Sequence, residues 1–147
     1  MEQLALVIHV IAGISWVGTV FTNCFIVWPT LRSMYARQEF PLEFLVTEGR
    51  RIAPWVYTAI SSMLVSGLAL VFLRPPATTT AWALLAAKTT ALLIMAGNTI
   101  FGTLVTWPRL QFSTPEETWP LWHGYLIRGF VTFGCGIAAV LMGAFLR

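Results

Sequence analysis

His9, Lys88, His123 and Arg128 are the residues of this chain whose chemistry is hardest to reconcile with their surroundings. Each falls in, or at the edge of, a long apolar run. A charged side chain deep in hydrocarbon costs about 3 kcal/mol on insertion scales, so it needs a partner or a purpose. His9 lies about one turn into the first run, with Gly13 and Trp16 following at i+4 and i+7 on the same helical face. Ala12, Gly13, Ser15 and Gly18 are small and would let a second helix or a flat ligand approach closely. A neutral imidazole is the commonest metal ligand. His9 therefore reads either as a metal or haem ligand, with Trp16 packed on the porphyrin, or as an interfacial histidine bonded to water or a carbonyl.

Lys88, about two turns into the third run, either snorkels outward or meets an anion at depth such as a haem propionate. Arg128 sits about 12 Å into the fourth run by the helical rise and shares a face with Thr132 and Cys135. It could serve a second propionate or a lipid headgroup. His123 reads as an interface residue, roughly 20 Å or more in depth from His9, so one iron could not take both. No Asp or Glu falls within the four runs as bounded below. Arg128 and Lys88 then require a bound anion, a neighbouring subunit or snorkelling. This deficit of acids points to an anionic cofactor or a lipid headgroup.

The elements that must position these residues are apolar helices. Of 147 residues, 57% are hydrophobic and only 10% charged, against roughly 25% charged in a soluble domain. A span needs about 20 apolar residues, and four such stretches are legible at about 4–28, 52–73, 81–107 and 119–145. The expected fold is one all-α domain over 1–147, a four-helix transmembrane bundle in a lipid bilayer. The net charge of +3 reflects basic residues at span ends rather than a nucleic-acid surface. The first run lacks the basic flank and cleavage site of a signal peptide. Cys24 and Cys135 read as small packing residues.

Trp28, Trp55, Trp82, Trp107, Trp119 and Trp122 fall near the ends of runs, as an aromatic belt would. All eight prolines are expected at ends or in loops, leaving helix interiors unbroken. Phe40–Val46 is expected to form a short interfacial helix. Loops one and three carry Arg32, Arg37, Arg50, Arg51 and Arg109, so positive-inside places them in the cytoplasm and both termini outside. A weak repeat aligns Trp28-Pro29 with Trp107-Pro108, setting Gly18 opposite Gly97 and His9 opposite Lys88. Phe72–Arg74 likewise matches Phe145–Arg147. The pattern suggests two helical hairpins inserted in parallel. Asn98, Gly102 and Thr106, with Tyr57, Ser61, Ser62 and Ser66, are expected to join helices. No phosphate loop, nucleophile elbow, H-E-x-x-H or C-x-x-C pattern is present, so a soluble-type hydrolase or nucleotide enzyme has no support.

The run His9-Val10-Ile11-Ala12-Gly13-Ile14-Ser15-Trp16-Val17-Gly18 resembles the opening helix of a bacterial membrane superfamily. Its members include HemJ-type protoporphyrinogen oxidases, CopD-type copper-resistance proteins and the membrane domain of some bacterial urate oxidases. Trp28–Arg32 is similar to the end of that helix in CopD-type members. Arg50-Arg51-Ile52 with Ser66–Ala69 resembles the second helix, and Trp82 followed by Lys88 the third. The resemblance implies a bacterial inner-membrane protein that binds haem b through His9, with Lys88 as its functional lysine. The chain lacks the L-P-R-L-F-V-Y-H and N-E-V-P runs of HemJ-type members, so haem binding is implied more strongly than an oxidoreductase acting on protoporphyrinogen. The leading expectation is a haem b redox or electron-transport component whose cofactor contacts are His9 (axial), Gly13, Trp16, Lys88 and Arg128. A copper-handling transport protein using His9, Met63 or Cys24 is the alternative. A cofactor-free subunit of a larger membrane complex is a third reading, and homo-oligomers or such complexes are the expected partners.

Overall fold

The computed structural model describes residues 1–37, 39 and 42–145, less the side chains of Leu42, Leu45 and Pro115. The described residues form four long helices: α1 (Glu2–Ala36), α2 (Leu42–Leu73), α3 (Thr79–Gln111) and α4 (Pro115–Phe145). All four are long and apolar enough to cross a membrane. The exposure pattern is that of a protein dissolved in lipid. Ile14 is 67% exposed while Trp16, two residues on, is 0% exposed. Val65, Leu93, Leu104 and Val140 also point outward, which bulk water would not tolerate in such density.

Each helix extends beyond its expected apolar run. Glu43 occupies the first turn of α2, and Glu116 with Glu117 that of α4. Carboxylates there complement the helix dipole and let the helix begin in polar sequence. As a consequence Pro29, Pro54 and Pro120 lie inside helices rather than at their ends, correcting the expectation of proline-free interiors. The interfacial helix expected at Phe40–Val46 is not separate. From Leu42 onward the chain is already α2, and Phe40 and Pro41 lie outside the described residues. The second loop closes on Thr78, whose hydroxyl accepts from the Ala81 N–H at 3.1 Å, a conventional N-cap.

Helices α1 and α3 share a local distortion. Asn23–Val27 and Gly102–Thr106 are π turns, each running directly into a Trp-Pro pair. Proline has no N–H and its ring collides with the i−4 carbonyl of a regular helix. The wider π turn relieves that collision while the rod continues, with the Trp28 N–H reaching the Asn23 carbonyl and the Trp107 N–H that of Gly102.

The repeat is visible in the packing. Ala12, Trp16 and Leu31 of α1 are buried, and so are Ala91, Met95 and Leu110 at the matching places of α3. Gly18 and Gly97 both face open space. Ala59, Met63 and Ser66 of α2 correspond in the same way to buried Thr132, Gly136 and Ala139 of α4. Leu146 and Arg147, in the second Phe-Leu-Arg, lie outside the described residues. Each hairpin packs on itself, α1 on α2 and α3 on α4, and the two join mainly through α1 and α4.

The two joints between hairpins are unequal, and glycine explains why. At α1–α4, a Cβ on Gly129 would lie 2.7 Å from Cys24 Sγ, and one on Gly136 would lie 2.7 Å from Val17 Cγ2. The helices therefore touch backbone to side chain. The corresponding positions on α2 are Val56 and Met63, and the α2–α3 seam is the sparser of the two. Tyr57 and Thr103 bridge that wider seam with a hydroxyl–hydroxyl bond.

Candidate functional site

His9 is held between α1 and α2. Its Nδ1 lies 3.1 Å from Ser66 Oγ. Ser66 has a single hydroxyl proton and donates it to the Ser62 carbonyl at 2.5 Å. With the Ser66 proton on the Ser62 carbonyl, the hydroxyl oxygen accepts from His9, an arrangement that puts the imidazole proton on Nδ1 and leaves Nε2 with its lone pair. The Met63 carbonyl lies 3.4 Å from the Ser66 hydroxyl. The imidazole rests on the backbone of α2, since a Cβ on Gly67 would come within 3.2 Å of His9 Cε1. Metal-binding histidines are oriented in this way, with the second nitrogen donating to a fixed acceptor.

Lys88 stands at the matching level of α3. It is close enough to His9 to act on it electrostatically, so the structure brings these two sequence candidates together. Its ammonium also packs on α4, where a Cβ on Gly143 would lie 3.1 Å from Nζ. Among the described residues it has no hydrogen-bond partner and no ion pair. Gly13 lies one turn below His9 against Met63, at 3.8 Å from its Sδ and Cε to a Cβ built there.

Below this pair Trp16 is fully buried in an apolar layer with Ala12, Ala59, Ile60, Met63 and Met95. Trp16 is also the upper wall of a cavity of about 320 Å³ that fills the other half of the bundle. Arg128 lines it. Its Nη2 donates to Thr106 Oγ1 at 2.6 Å, its guanidinium lies 4.8 Å from the centre of the Phe101 ring, and its Nε has no partner. Thr106 is 18 residues from Lys88 on one helix, so Arg128 stands about 27 Å from the Lys88 level. One porphyrin ligated at His9 cannot also reach it.

Sequence reasoning missed Glu48. Taking the second span to begin at Ile52 left this residue in a loop, whereas α2 carries it to the cavity, half-buried. The premise that no carboxylate shares the membrane with Arg128 is corrected accordingly, although Glu48 forms no ion pair with it. Only continuation of the helical pattern through Leu42–Arg51 would have signalled this. Ser66 was legible as a joining residue but not as the partner of His9. Asn98 does join helices, donating to Thr132 Oγ1 at 3.3 Å.

The tryptophans divide by role. Trp55 is 77% exposed and fits a lipid-facing belt. Trp28 and Trp122 are instead buried at the loop-one end, in a cluster of rings with Trp107, Trp119, Tyr35 and Tyr125. His123, beside Trp122, is exposed and far from His9. Cys24 is 15 residues along α1 from His9, about 22 Å, so the two cannot share a copper ion. Among the described residues no three His, Cys, Asp or Glu side chains cluster as a metal site would require.

The fold and these two polar regions define a multi-pass membrane protein of four helices. No known protein family, curated protein or solved structure matches the chain.

Proposed function

We propose that the protein is a membrane haem b-binding redox component, with His9 as an axial ligand through Nε2 and Lys88 as the cation that meets a propionate. The single observation that carries this reading is the contact of His9 Nδ1 with buried Ser66 Oγ at 3.1 Å. An imidazole whose Nδ1 proton is committed to a serine, itself committed to a backbone carbonyl, presents a bare lone pair inside a membrane. The unpartnered Lys88 ammonium at the matching level of α3 supports an anionic ligand there. The 320 Å³ cavity does not contain His9 or Lys88, so the reading rests on the His9 level alone. Haem supplies reversible one-electron chemistry. The chain's own residues hold the ligand nitrogen in one tautomer, balance a carboxylate, and exclude water through the layer around Trp16. With one such site, exchange of electrons calls for a docked partner, either a second copy or a larger membrane complex. The basic loops favour loops one and three on the cytoplasmic side, and the family resemblance implies a bacterial cytoplasmic membrane.

The test is the visible spectrum of full-length protein purified in detergent from its native membranes. A Soret band that is lost in His9→Ala and kept in His123→Ala supports the proposal. Absence of the band, or its persistence in His9→Ala, overturns it. The copper reading predicts copper without porphyrin, and metal analysis of the same sample separates the two.

A further inference from the structure

We infer that the two hairpins open like the covers of a book. The α1–α4 joint is the spine, and the Tyr57–Thr103 hydrogen bond is the clasp that controls entry to the cavity from the bilayer. Three observations carry this. The first is where the bundle is stiff. Helix α1 packs closely on α2, and α3 on α4, so each hairpin moves as one body. Between the hairpins, α1 and α4 touch through Gly129 and Gly136, where a Cβ would lie 2.7 Å from Cys24 Sγ and Val17 Cγ2. The α2–α3 seam is sparser. A rotation that pivots on the close joint opens the sparse one first, as in hinge motions of domains.

The second observation is what holds the sparse seam. Among the described residues a single side-chain hydrogen bond joins α2 to α3, that of Tyr57 with Thr103 at 2.5 Å. With the Thr103 proton on the Thr99 carbonyl at 2.7 Å, the Tyr57 hydroxyl is the donor. Thr103 belongs to the π turn Gly102–Thr106, and such turns are frequent at functional positions. Toward the loop-one end the helices meet again where Trp107 lies against Gly49, which has no room for a Cβ. The Trp107 Nε1 has no partner there, so that contact is packing alone.

The third observation is what lies behind the clasp. Tyr57 and Thr103 both line the cavity, and so does Leu104, which is 68% exposed. At this edge one layer of side chains stands between the cavity and lipid. Parting the clasp admits membrane-dissolved molecules sideways, without passage through either loop region. The device does not depend on the haem proposal, because His9 and Lys88 lie outside the cavity.

The buried thiol of Cys24 lines the cavity and Cys135 does not, so the chain carries its own reporter. The full chain with Cys135→Ala is placed in lipid nanodiscs, and its reaction with N-ethylmaleimide is timed by mass spectrometry. A buried group reacts through locally opened states. Tyr57→Phe removes the donor and Thr103→Val the acceptor. Each should speed labelling roughly 3- to 20-fold, the rise in open population when one interhelical hydrogen bond in a membrane is lost. The double variant should be no faster than either single one, and Thr103→Ser should match the parent. Asn98→Ala breaks a bond within the α3–α4 hairpin, to Thr132 at 3.3 Å, and should leave the rate unchanged. Unchanged rates in both clasp variants, or equal acceleration in Asn98→Ala, would overturn the inference. Spin labels at Trp55 and Leu104, in a chain lacking both cysteines, give a readout that needs no clasp variant. They should show a minor, longer distance beside the main one, and a single distance there would also overturn it.

Discussion

Replacing Ser66 with alanine should uncouple His9 from its tautomer without touching the ligand nitrogen. Ser66 is 4% exposed and accepts the His9 Nδ1 proton at 3.1 Å. Alanine removes that acceptor. A buried donor that loses its acceptor costs about 1–3 kcal/mol. Removal of the residue that orients a metal-binding histidine typically lowers metal affinity by about 10–100-fold, which is about 1.4–2.7 kcal/mol. The two routes give the same range, so Ser66→Ala should weaken haem binding by about one to two orders of magnitude. Ser66→Thr keeps the hydroxyl and should retain most of the affinity. The assay is transfer of haem from the purified protein to an excess of apomyoglobin, timed by the Soret shift. Equal transfer rates for wild type and Ser66→Ala would refute the argument from the tautomer, even if haem were bound.

Three further outcomes follow from the packing and the loop charges. Gly129→Ala should destabilise the bundle by about 1–3 kcal/mol, the usual range for overpacking, because its Cβ would meet Cys24 Sγ at 2.7 Å. Cys24→Ala in the same chain should restore much of the loss, as measured by thermal unfolding in detergent. Asn98→Ala should cost only about 0.6 kcal/mol, typical of interhelical hydrogen bonds in membranes, and so rank well below Gly129→Ala in the same assay. Outside the spans, Arg37 donates through Nε and Nη2 to the two Glu39 oxygens at 3.2 Å, which holds the Glu39 carboxyl below its ordinary pKa. The stabilisation from this exposed pair is present above the ordinary carboxylate pKa and disappears as pH falls through the lowered one. In Arg37→Ala the Glu39 titration, followed by NMR, should move back up.

The architecture was legible because hydrophobic length is a local property. Four apolar runs, few charges and the placement of Trp55 and Trp82 needed no knowledge of long-range contacts. The repeat was visible in two Trp-Pro pairs, but its structural meaning was not. A π turn follows from how the rod accommodates proline, and the sequence marks only its end. The site was half legible. His9 and Lys88 stood out because polar groups are costly in hydrocarbon, and they do share a level. Ser66 lies 57 positions from His9, and no local pattern could pair them. Glu48 was lost because hydropathy ends a span where charge begins, whereas the helix and the cavity continue. The contrast of glycine at 129 and 136 with valine and methionine at 56 and 63 has meaning only once the two hairpins are superposed.

The central claim, a haem held through His9, is tested most directly by titrating hemin into the full-length apoprotein in detergent and following the Soret region. Saturation at one haem per chain is predicted, with Arg128→Gln matching wild type because its guanidinium stands about 27 Å from the Lys88 level, and His9→Gln losing the saturable component. Saturation that survives His9→Gln, or a linear rise without saturation in the wild type, would contradict the account.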